Sequence, residues 1–197
     1  MTSLSLKRLT PQQMIEDLPA FMLKIEQLAQ RLGMDLSDYQ ADHIALRIND
    51  SEIAQQARIE WAKRGVEISQ AEINGRPIIV SEFSFPLQTS HWAIECLELP
   101  FPAKGKLYPQ EGWEHVEFVI PSQAETAESY LEDLTKRLPG LTATLSQLDE
   151  LDIKMKLSSP KGEGERLNNP TVAFKHQGVC IKLHPHSLKA IVASEHA

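Results

Sequence analysis

Two histidines, each preceded by an acid, open two strand-like segments of this chain. Residues 42–48 read DHIALRI and residues 114–120 read EHVEFVI, so His43 and His115 take the same place in segments that begin 72 residues apart. Imidazole is the commonest protein ligand for a divalent metal ion. Two imidazoles at equivalent places in duplicated units could converge on one point. The pattern therefore predicts a shared metal centre.

Both segments alternate apolar residues with others, which is typical of a strand with one buried face. In the first segment Ile44, Leu46 and Ile48 would face the core. Because successive side chains of a strand point to opposite faces, His43 would point away from that core. The same reasoning applies to His115, so both imidazoles are predicted on the open face of their strands.

The repeat extends beyond these two strands. Each segment is followed by a helix-capping signal, at residues 49–52 and 122–125, and then by a helix. Strand-like runs follow each helix. In the first half they cover residues 66–73, 77–85 and 92–99, with Asn74-Gly75 as a turn; in the second half they cover residues 143–148, 153–157, 172–175 and 179–184, with a polar loop over 158–170. Each half therefore reads as a β-α-β-β-β module.

The last strands of the two halves also match. Residues 96–99 read CLEL, and 84 residues later residues 180–183 read CIKL. Alternation places Glu98 on one face of its strand, and Lys182 and His184 together on one face of theirs. The first half thus offers a carboxylate. The second half offers a lysine at the matching place, and a protonated lysine cannot bind a metal ion.

These paired signals resemble the vicinal oxygen chelate superfamily of glyoxalases, bleomycin-resistance proteins and ring-cleaving dioxygenases, and within it the YecM family. The resemblance covers about residues 42–185. It implies an α+β fold in which two β-α-β-β-β modules form a cupped mixed sheet. By position it implies that His43 and His115 are the first-strand ligands and that Glu98 is a last-strand ligand. The fourth place falls on Lys182, which departs from the superfamily's pattern.

Two histidines and one carboxylate, with open positions, suit zinc, iron, manganese or nickel. Two nearby residues could extend this set. Glu117 lies on the His115 face and could bind the metal or act as a catalytic base, and a buried ion pair with Arg47 or Lys182 is an equal alternative. His184, two residues beyond Lys182, could supply a fourth ligand.

Two functions are compatible with these residues. The leading hypothesis is a divalent-metal-binding protein that acts as an isomerase, lyase or oxygenase on a small oxygen-rich molecule. The alternative is a metal-free protein of the same fold that binds an anionic small molecule through Arg47 and Lys182. Arg47 shares the face of His43, although a structural ion pair is the simpler interpretation of its role.

The residues before the repeat read as helical. Thr10 is a predicted N-cap, followed by Pro11 at the first helical position. Pro19 is expected to interrupt the helix, which would resume directly after it and end at Gly33.

These helices are expected to pack on the core as residues 1–40 of a single structural domain. Residues 41–197 form the rest of it, with the paired modules at about 41–100 and 113–185. Because both modules are present in one chain, we expect a monomer.

The composition narrows the class of partner. A net charge of −7 and a pI near 5.5 disfavour nucleic-acid binding. No secretory signal is recognised, and no apolar run reaches the ~18 residues of a membrane span, so a cytoplasmic protein is expected. Cys96 and Cys180 are predicted to be small buried residues rather than a disulfide or a zinc-ribbon pair.

Overall fold

The computed structural model describes residues 2–73, 75–159 and 167–194. The helices are α1 (Ser3–Leu6), α2 (Pro11–Arg31), α3 (Ser51–Trp61), α4 (Ala127–Arg137), α5 (Pro139–Leu145) and α6 (Leu188–Ser194). The strands are β1 (Gln40–Arg47), β2 (Gly65–Ile73), β3 (Arg76–Gln88), β4 (Ala93–Pro100), β5 (Gly112–Val119), β6 (Lys154–Ser158), β7 (Thr171–His176) and β8 (Val179–His184).

The eight strands form one mixed sheet in the order β2-β3-β4-β1-β5-β8-β7-β6. Strands β1 to β4 with α3 make the first module, and β5 to β8 with α4 and α5 make the second. At the centre β1 pairs antiparallel with β5, whereas β1 with β4 and β5 with β8 are parallel pairs. The predicted α+β fold class, with two β-α-β-β-β modules on a mixed sheet preceded by helices, is confirmed.

Helix α2 packs on the middle of the sheet, where it contacts β5 and β8. Thr10 caps it as predicted, since the Thr10 hydroxyl accepts a hydrogen bond from the N–H of Gln13. Pro19 lies inside the helix without interrupting it, so that prediction is wrong. A proline inside a helix costs about 3 kcal/mol. Buried side chains on both sides of it, such as Leu18 and Phe21, offset this cost by removing apolar area from water.

A close backbone contact joins the end of α2 to the start of α5. Gly33 follows α2 with a φ of 66°, a conformation that favours glycine, and the helix ends there as predicted. A Cβ on Gly33 would lie 2.8 Å from the carbonyl carbon of Gly140. The N-terminal helix and the second module therefore meet at a point where neither segment carries a side chain.

Gly33→Ala and Gly140→Ala are each expected to lower the free energy of unfolding by about 1–3 kcal/mol, because the backbone must move to accept a methyl group. Urea unfolding followed by circular dichroism measures the change. Gly105→Ala is the matched control, since Gly105 also has a positive φ (76°) but a Cβ there meets nothing within 4 Å. Equal losses at Gly33 and Gly105 would contradict a role for the contact.

The second module departs from the predicted bounds of its elements. Thr126, rather than Ser122, caps α4. Ser122 instead donates a hydrogen bond to Asp133. Residues 143–148 were expected to be a strand, but they form the end of α5 and the turn after it. The physical reason is Pro139, which follows the end of α4 and starts a second helix at its N1 position.

The structure also bears on several smaller expectations. Cys96 and Cys180 are buried and form no disulfide, as predicted. Asn74 of the predicted turn and residues 160–166 of the predicted polar loop lie outside the described residues. Among the helices that the structure describes, none is long and apolar enough to cross a membrane.

Candidate metal centre

Two rows of side chains cross the four central strands. The pairing of β4, β1, β5 and β8 places Cys96, His43, Glu117 and Lys182 in one row and Glu98, Ala45, His115 and Cys180 in the other. The intervening residues Ile44, Leu97, Val116 and Ile181 belong to the hydrophobic core. The predicted histidines and carboxylates therefore share the face of the sheet opposite the core, because side chains alternate along each strand.

A β-bulge in each central strand explains why an acid precedes each histidine. The β1/β5 ladder skips Asp42 in one strand and Glu114 in the other. An extra residue breaks the alternation locally, so each acid reaches the side of its neighbouring histidine. Asp42 Oδ2 lies 2.9 Å from His43 Nδ1, and Glu114 Oε2 lies 2.8 Å from His115 Nδ1. These two acids had no predicted role, although the duplicated acid-His pair was their signal.

With Nδ1 held by an acid, each imidazole turns Nε2 toward a common point. His43 Nε2 lies 3.5 Å from Glu98 Oε2 and 3.3 Å from Glu117 Oε1. His115 Nε2 lies 4.0 Å from Glu98 Oε1 and 3.1 Å from Glu117 Oε1. One donor atom from each of the four residues lies within 4.8 Å of all the others. Two atoms that bind the same tetrahedral zinc ion are about 3.3–3.5 Å apart, so this spacing suits one ion.

The chemistry of the donors also suits a cation. Within the described part of the chain, the buried Nε2 atoms of His43 and His115 have no partner in hydrogen-bond geometry. Leaving a buried polar atom unsatisfied costs about 1–3 kcal/mol. An acid on Nδ1 with Nε2 directed to a ligand point is the arrangement of a carboxylate-histidine-metal unit, in which the acid fixes the tautomer and the ring. These four residues could hold one divalent metal ion.

Glu117 also forms an ion pair, since Lys182 Nζ lies 2.6 Å from Glu117 Oε1. Burial acts to raise the pKa of Glu117, but the ammonium of Lys182 and the ring of His43 together outweigh burial and hold that pKa well below its ordinary value. A general base works best with a pKa near the working pH. Glu117 is therefore better suited to bind a cation than to accept a proton.

Glu98, on the other side of the centre, is ionised as well. Burial acts to raise its pKa, yet the nearby imidazole of His43 and the charge of Lys182 lower it to about 2. Cys96 and Cys180 behave in the opposite way, because burial raises the pKa of each thiol to about 12. The anionic donors at this centre are thus carboxylates rather than thiolates.

His184, expected as a fourth ligand, lies beside the four-residue cluster. Its Nε2 is 3.5 Å from Asp42 Oδ2, and its Nδ1 is 3.6 Å from Glu117 Oε2. Asp42, His43 and His184 form a second group of close donor atoms. Burial lowers the pKa of His184, so this imidazole is neutral at pH 7. The N–H of Leu188, at the start of α6, donates to Asp42 Oδ2 at 2.7 Å.

Comparison with known proteins gives the chain a family. A family model described as "YecM protein" matches residues 10–195. The chain belongs to the YecM family. Its relatives include Protein YecM of Escherichia coli (strain K12), which is 41% identical over 188 residues and 93% of each chain. An uncharacterized protein of Haemophilus influenzae (strain ATCC 51907 / DSM 11121 / KW20 / Rd) is 38% identical over 178 residues and 88% of each chain.

A solved structure is similar to this chain over nearly its whole length. The chain described as "Structural Genomics, Protein EC4020" is 36% identical to this one, with a TM-score of 0.76. The match covers 99% of this chain and 97% of the other. The similarity therefore includes the N-terminal helices as well as both modules.

In this YecM-family chain Arg47 belongs to the surroundings of the centre. Arg47 Nη2 donates to Glu114 Oε2 at 2.7 Å, and its guanidinium lies 4.0 Å from the centre of the Tyr108 ring. From the sequence, a structural ion pair was the simpler interpretation of the role of Arg47, and the structure contains one. Because Glu114 holds His115, Arg47 acts on the centre through Glu114.

A cavity of about 460 Å³ opens onto the centre of the YecM-family fold. His43, Glu98, Glu117, Lys182 and His184 line it on the sheet side. Two further cations, Arg76 and Lys156, also line it, and no sequence motif marks either of them. Another cavity, of about 600 Å³, lies between the start of α2 and β3, and its described lining contains none of the predicted site residues.

Proposed function

We propose that this protein binds one divalent metal ion through His43 Nε2, His115 Nε2 and the carboxylates of Glu98 and Glu117. The observation that carries the proposal is the convergence of four donor atoms, two of which are buried imidazole nitrogens without a hydrogen-bond partner in the described residues. The resemblance to the vicinal oxygen chelate superfamily supports His43, His115 and Glu98 by position. Glu117 takes the part of the fourth donor, whose usual place holds Lys182.

The proposed chemistry concerns a small oxygen-rich molecule. A divalent ion at this centre would serve as a Lewis acid toward two substrate oxygens. Asp42 and Glu114 keep the two imidazoles in the tautomer that presents Nε2. The ammonium of Lys182 keeps Glu117 ionised and faces the cavity, where it can also donate to a substrate oxygen. We infer an isomerase, a lyase or an oxygenase, and in each case Glu117 holds the cation instead of acting as the base.

A metal-free binding protein is the second candidate, and Lys182 favours it. With Nζ at 2.6 Å from Glu117 Oε1, Lys182 already supplies a positive charge to the cluster. A cavity with this ammonium in its wall could bind an anionic molecule without a metal ion. In that case the two imidazoles would serve as hydrogen-bonding groups.

Metal analysis decides between the two candidates. We expect protein purified under reducing conditions to take up about one equivalent of zinc, iron(II), manganese or nickel and to unfold at a higher temperature when it is loaded. The rise follows because an ion that binds only the folded state stabilises it by mass action. Neither uptake nor a thermal shift with all four metals would contradict the metal site and favour the metal-free protein.

Asp42→Asn and Glu114→Gln are each expected to weaken metal binding about 10–100-fold, because the amide no longer fixes the orientation and basicity of the ring. Competition with a chelator of known affinity measures the effect. Asp133→Asn is a matched control, since Asp133, on α4, accepts a hydrogen bond from Ser122 and is not part of the cluster. Unchanged affinity in both variants would contradict the assigned role of the two bulged acids.

We infer that one chain is sufficient for this function. Both modules complete the eight-stranded sheet within a single chain, so the four donors need no second copy. The two buried thiols without a disulfide suit a reducing compartment such as the cytoplasm. The proposed partner is a small molecule, in keeping with the net negative charge of the protein, which disfavours nucleic-acid binding.

A further inference from the structure

Two cations in the cavity wall have no role in holding the proposed metal. Arg76 begins β3 in the first module, and Lys156 lies on β6 in the second. Both line the 460 Å³ cavity, so they reach it from opposite halves of the sheet. A cavity of this size is within the range that holds a small-molecule ligand.

Neither cation has a carboxylate partner among the described residues. The hydrogen bond found for Arg76 joins Nη1 to the carbonyl oxygen of Phe101 at 3.5 Å, and no ion pair of Lys156 is found in those residues. Lys182 differs from them, because Glu117 holds its ammonium at 2.6 Å. Arg76 and Lys156 are therefore the two cations of the wall that no carboxylate among the described residues holds.

The charge balance of the cavity is opposite to that of the chain. The whole protein carries a formal charge of −7. In the cavity, however, three cations face two carboxylates, and a divalent ion at the centre would make the excess of positive charge larger. Cations grouped in a cleft raise the local concentration of anions and favour their binding. Guanidinium and ammonium groups form their strongest hydrogen bonds with carboxylate and phosphate oxygens.

We infer that Arg76 and Lys156 form a subsite for the anionic group of the ligand. The ligand is then a small molecule with two oxygens at one end, for the metal centre, and a carboxylate or phosphate at the other. This inference rests on the proposed function and adds the class of substrate. Arg76 and Lys156 then take the anion-binding role that the sequence suggested for Arg47, because Arg47 is already paired with Glu114.

Three hydroxamates test the subsite in the full-length protein loaded with Mn²⁺. Acetohydroxamate chelates a metal through two oxygens and has a neutral tail, whereas succinomonohydroxamate and phosphonoacetohydroxamate add a carboxylate and a phosphonate. By calorimetry we expect the better anionic probe to bind at least about tenfold more tightly than acetohydroxamate, as one or two charge-assisted hydrogen bonds would give. The preferred tail identifies the anionic group as carboxylate or phosphate.

The double variant Arg76→Gln/Lys156→Gln should reduce this preference to about twofold and leave the metal stoichiometry and the acetohydroxamate affinity unchanged. Lys104→Gln/Lys106→Gln removes the same charge from an exposed loop and should keep the preference. No preference in the wild type, or a preference that survives in Arg76→Gln/Lys156→Gln, would overturn the inference.

Metal content measured in the same samples separates this inference from the proposed function. If no metal binds, the proposed function fails, and the subsite is tested on the metal-free protein with succinate against neutral succinamide. Tighter binding of succinate that Arg76→Gln/Lys156→Gln abolishes would still support the subsite. Equal binding of the two probes would overturn it.

Discussion

His43→Ala and His115→Ala each lower the affinity for Mn²⁺ or Zn²⁺ by at least about 100-fold, which is the expected result if both imidazoles bind the ion directly. Loss of a residue that only supports a ligand costs about 10–100-fold, and loss of the ligand itself should cost more. Each variant also removes a nitrogen within 3.3 Å of Glu117 Oε1. The measurements are metal content after dialysis and the thermal shift on adding metal.

Two other histidine variants make this experiment specific. His184→Ala tests the expected fourth ligand. We predict that it keeps about one equivalent of metal, because His184 contacts Glu117 but is not one of the four residues whose donor atoms converge. His91→Ala controls for adventitious binding, since the His91 side chain is 57% exposed. If His43→Ala and His115→Ala retain as much metal as His91→Ala does, the shared site is refuted.

Lys182→Met is expected to change stability and metal affinity in opposite directions. The Lys182 and Glu117 side chains are 27% and 7% exposed, so removing the ammonium leaves a nearly buried carboxylate without its partner. Breaking a fully buried pair costs about 3–5 kcal/mol, and the partial exposure of Lys182 reduces this to about 2–3 kcal/mol. The same substitution removes a like charge from beside the metal and should tighten metal binding by at least about tenfold.

Urea unfolding in the presence of a chelator measures the first effect, and a Mn²⁺ titration measures the second. Lys175→Met, on the neighbouring strand β7, loses an exposed lysine instead and should change both quantities little. Metal should restore most of the stability that Lys182→Met loses. A destabilised variant whose metal affinity stays at the wild-type level would mean that Lys182 does not oppose the ion, and the placement of the metal beside Glu117 would then be wrong.

Local periodicity was enough to predict the strand faces of all four proposed donors. Alternation fixed the faces of His43, Glu98, His115 and Glu117, and the internal repeat indicated that the two histidines are equivalent. The place of Glu117 depends on strand pairing, because the β1/β5 register sets it opposite His43. Such long-range register is not encoded in any short segment, so Glu117 remained a choice among ligand, base and ion-pair partner.

The features that could not be predicted from the sequence are departures from the regular periodicity of strands and helices. Asp42 and Glu114 reach their histidines through bulges, and a bulge leaves no signal in strict alternation. Pro19 and residues 143–148 show the same limit in helices. Tertiary burial holds α2 together through a proline, and the helix that begins at Pro139 runs into residues where a strand was expected. No sequence pattern indicates Arg76 or Lys156, because only the fold brings these two residues to one cavity.

The pairing of the strands shows where the two halves of the centre differ. Lys182 stands where the first copy has Glu98, and Glu117 stands where the first copy has Ala45. Each half of the chain therefore supplies one imidazole and one acid to the cluster, from β1 and β4 in the first half and from β5 alone in the second. A position-by-position comparison of the two halves would find Lys182 in the place of Glu98 and would overlook Glu117, two residues beyond His115.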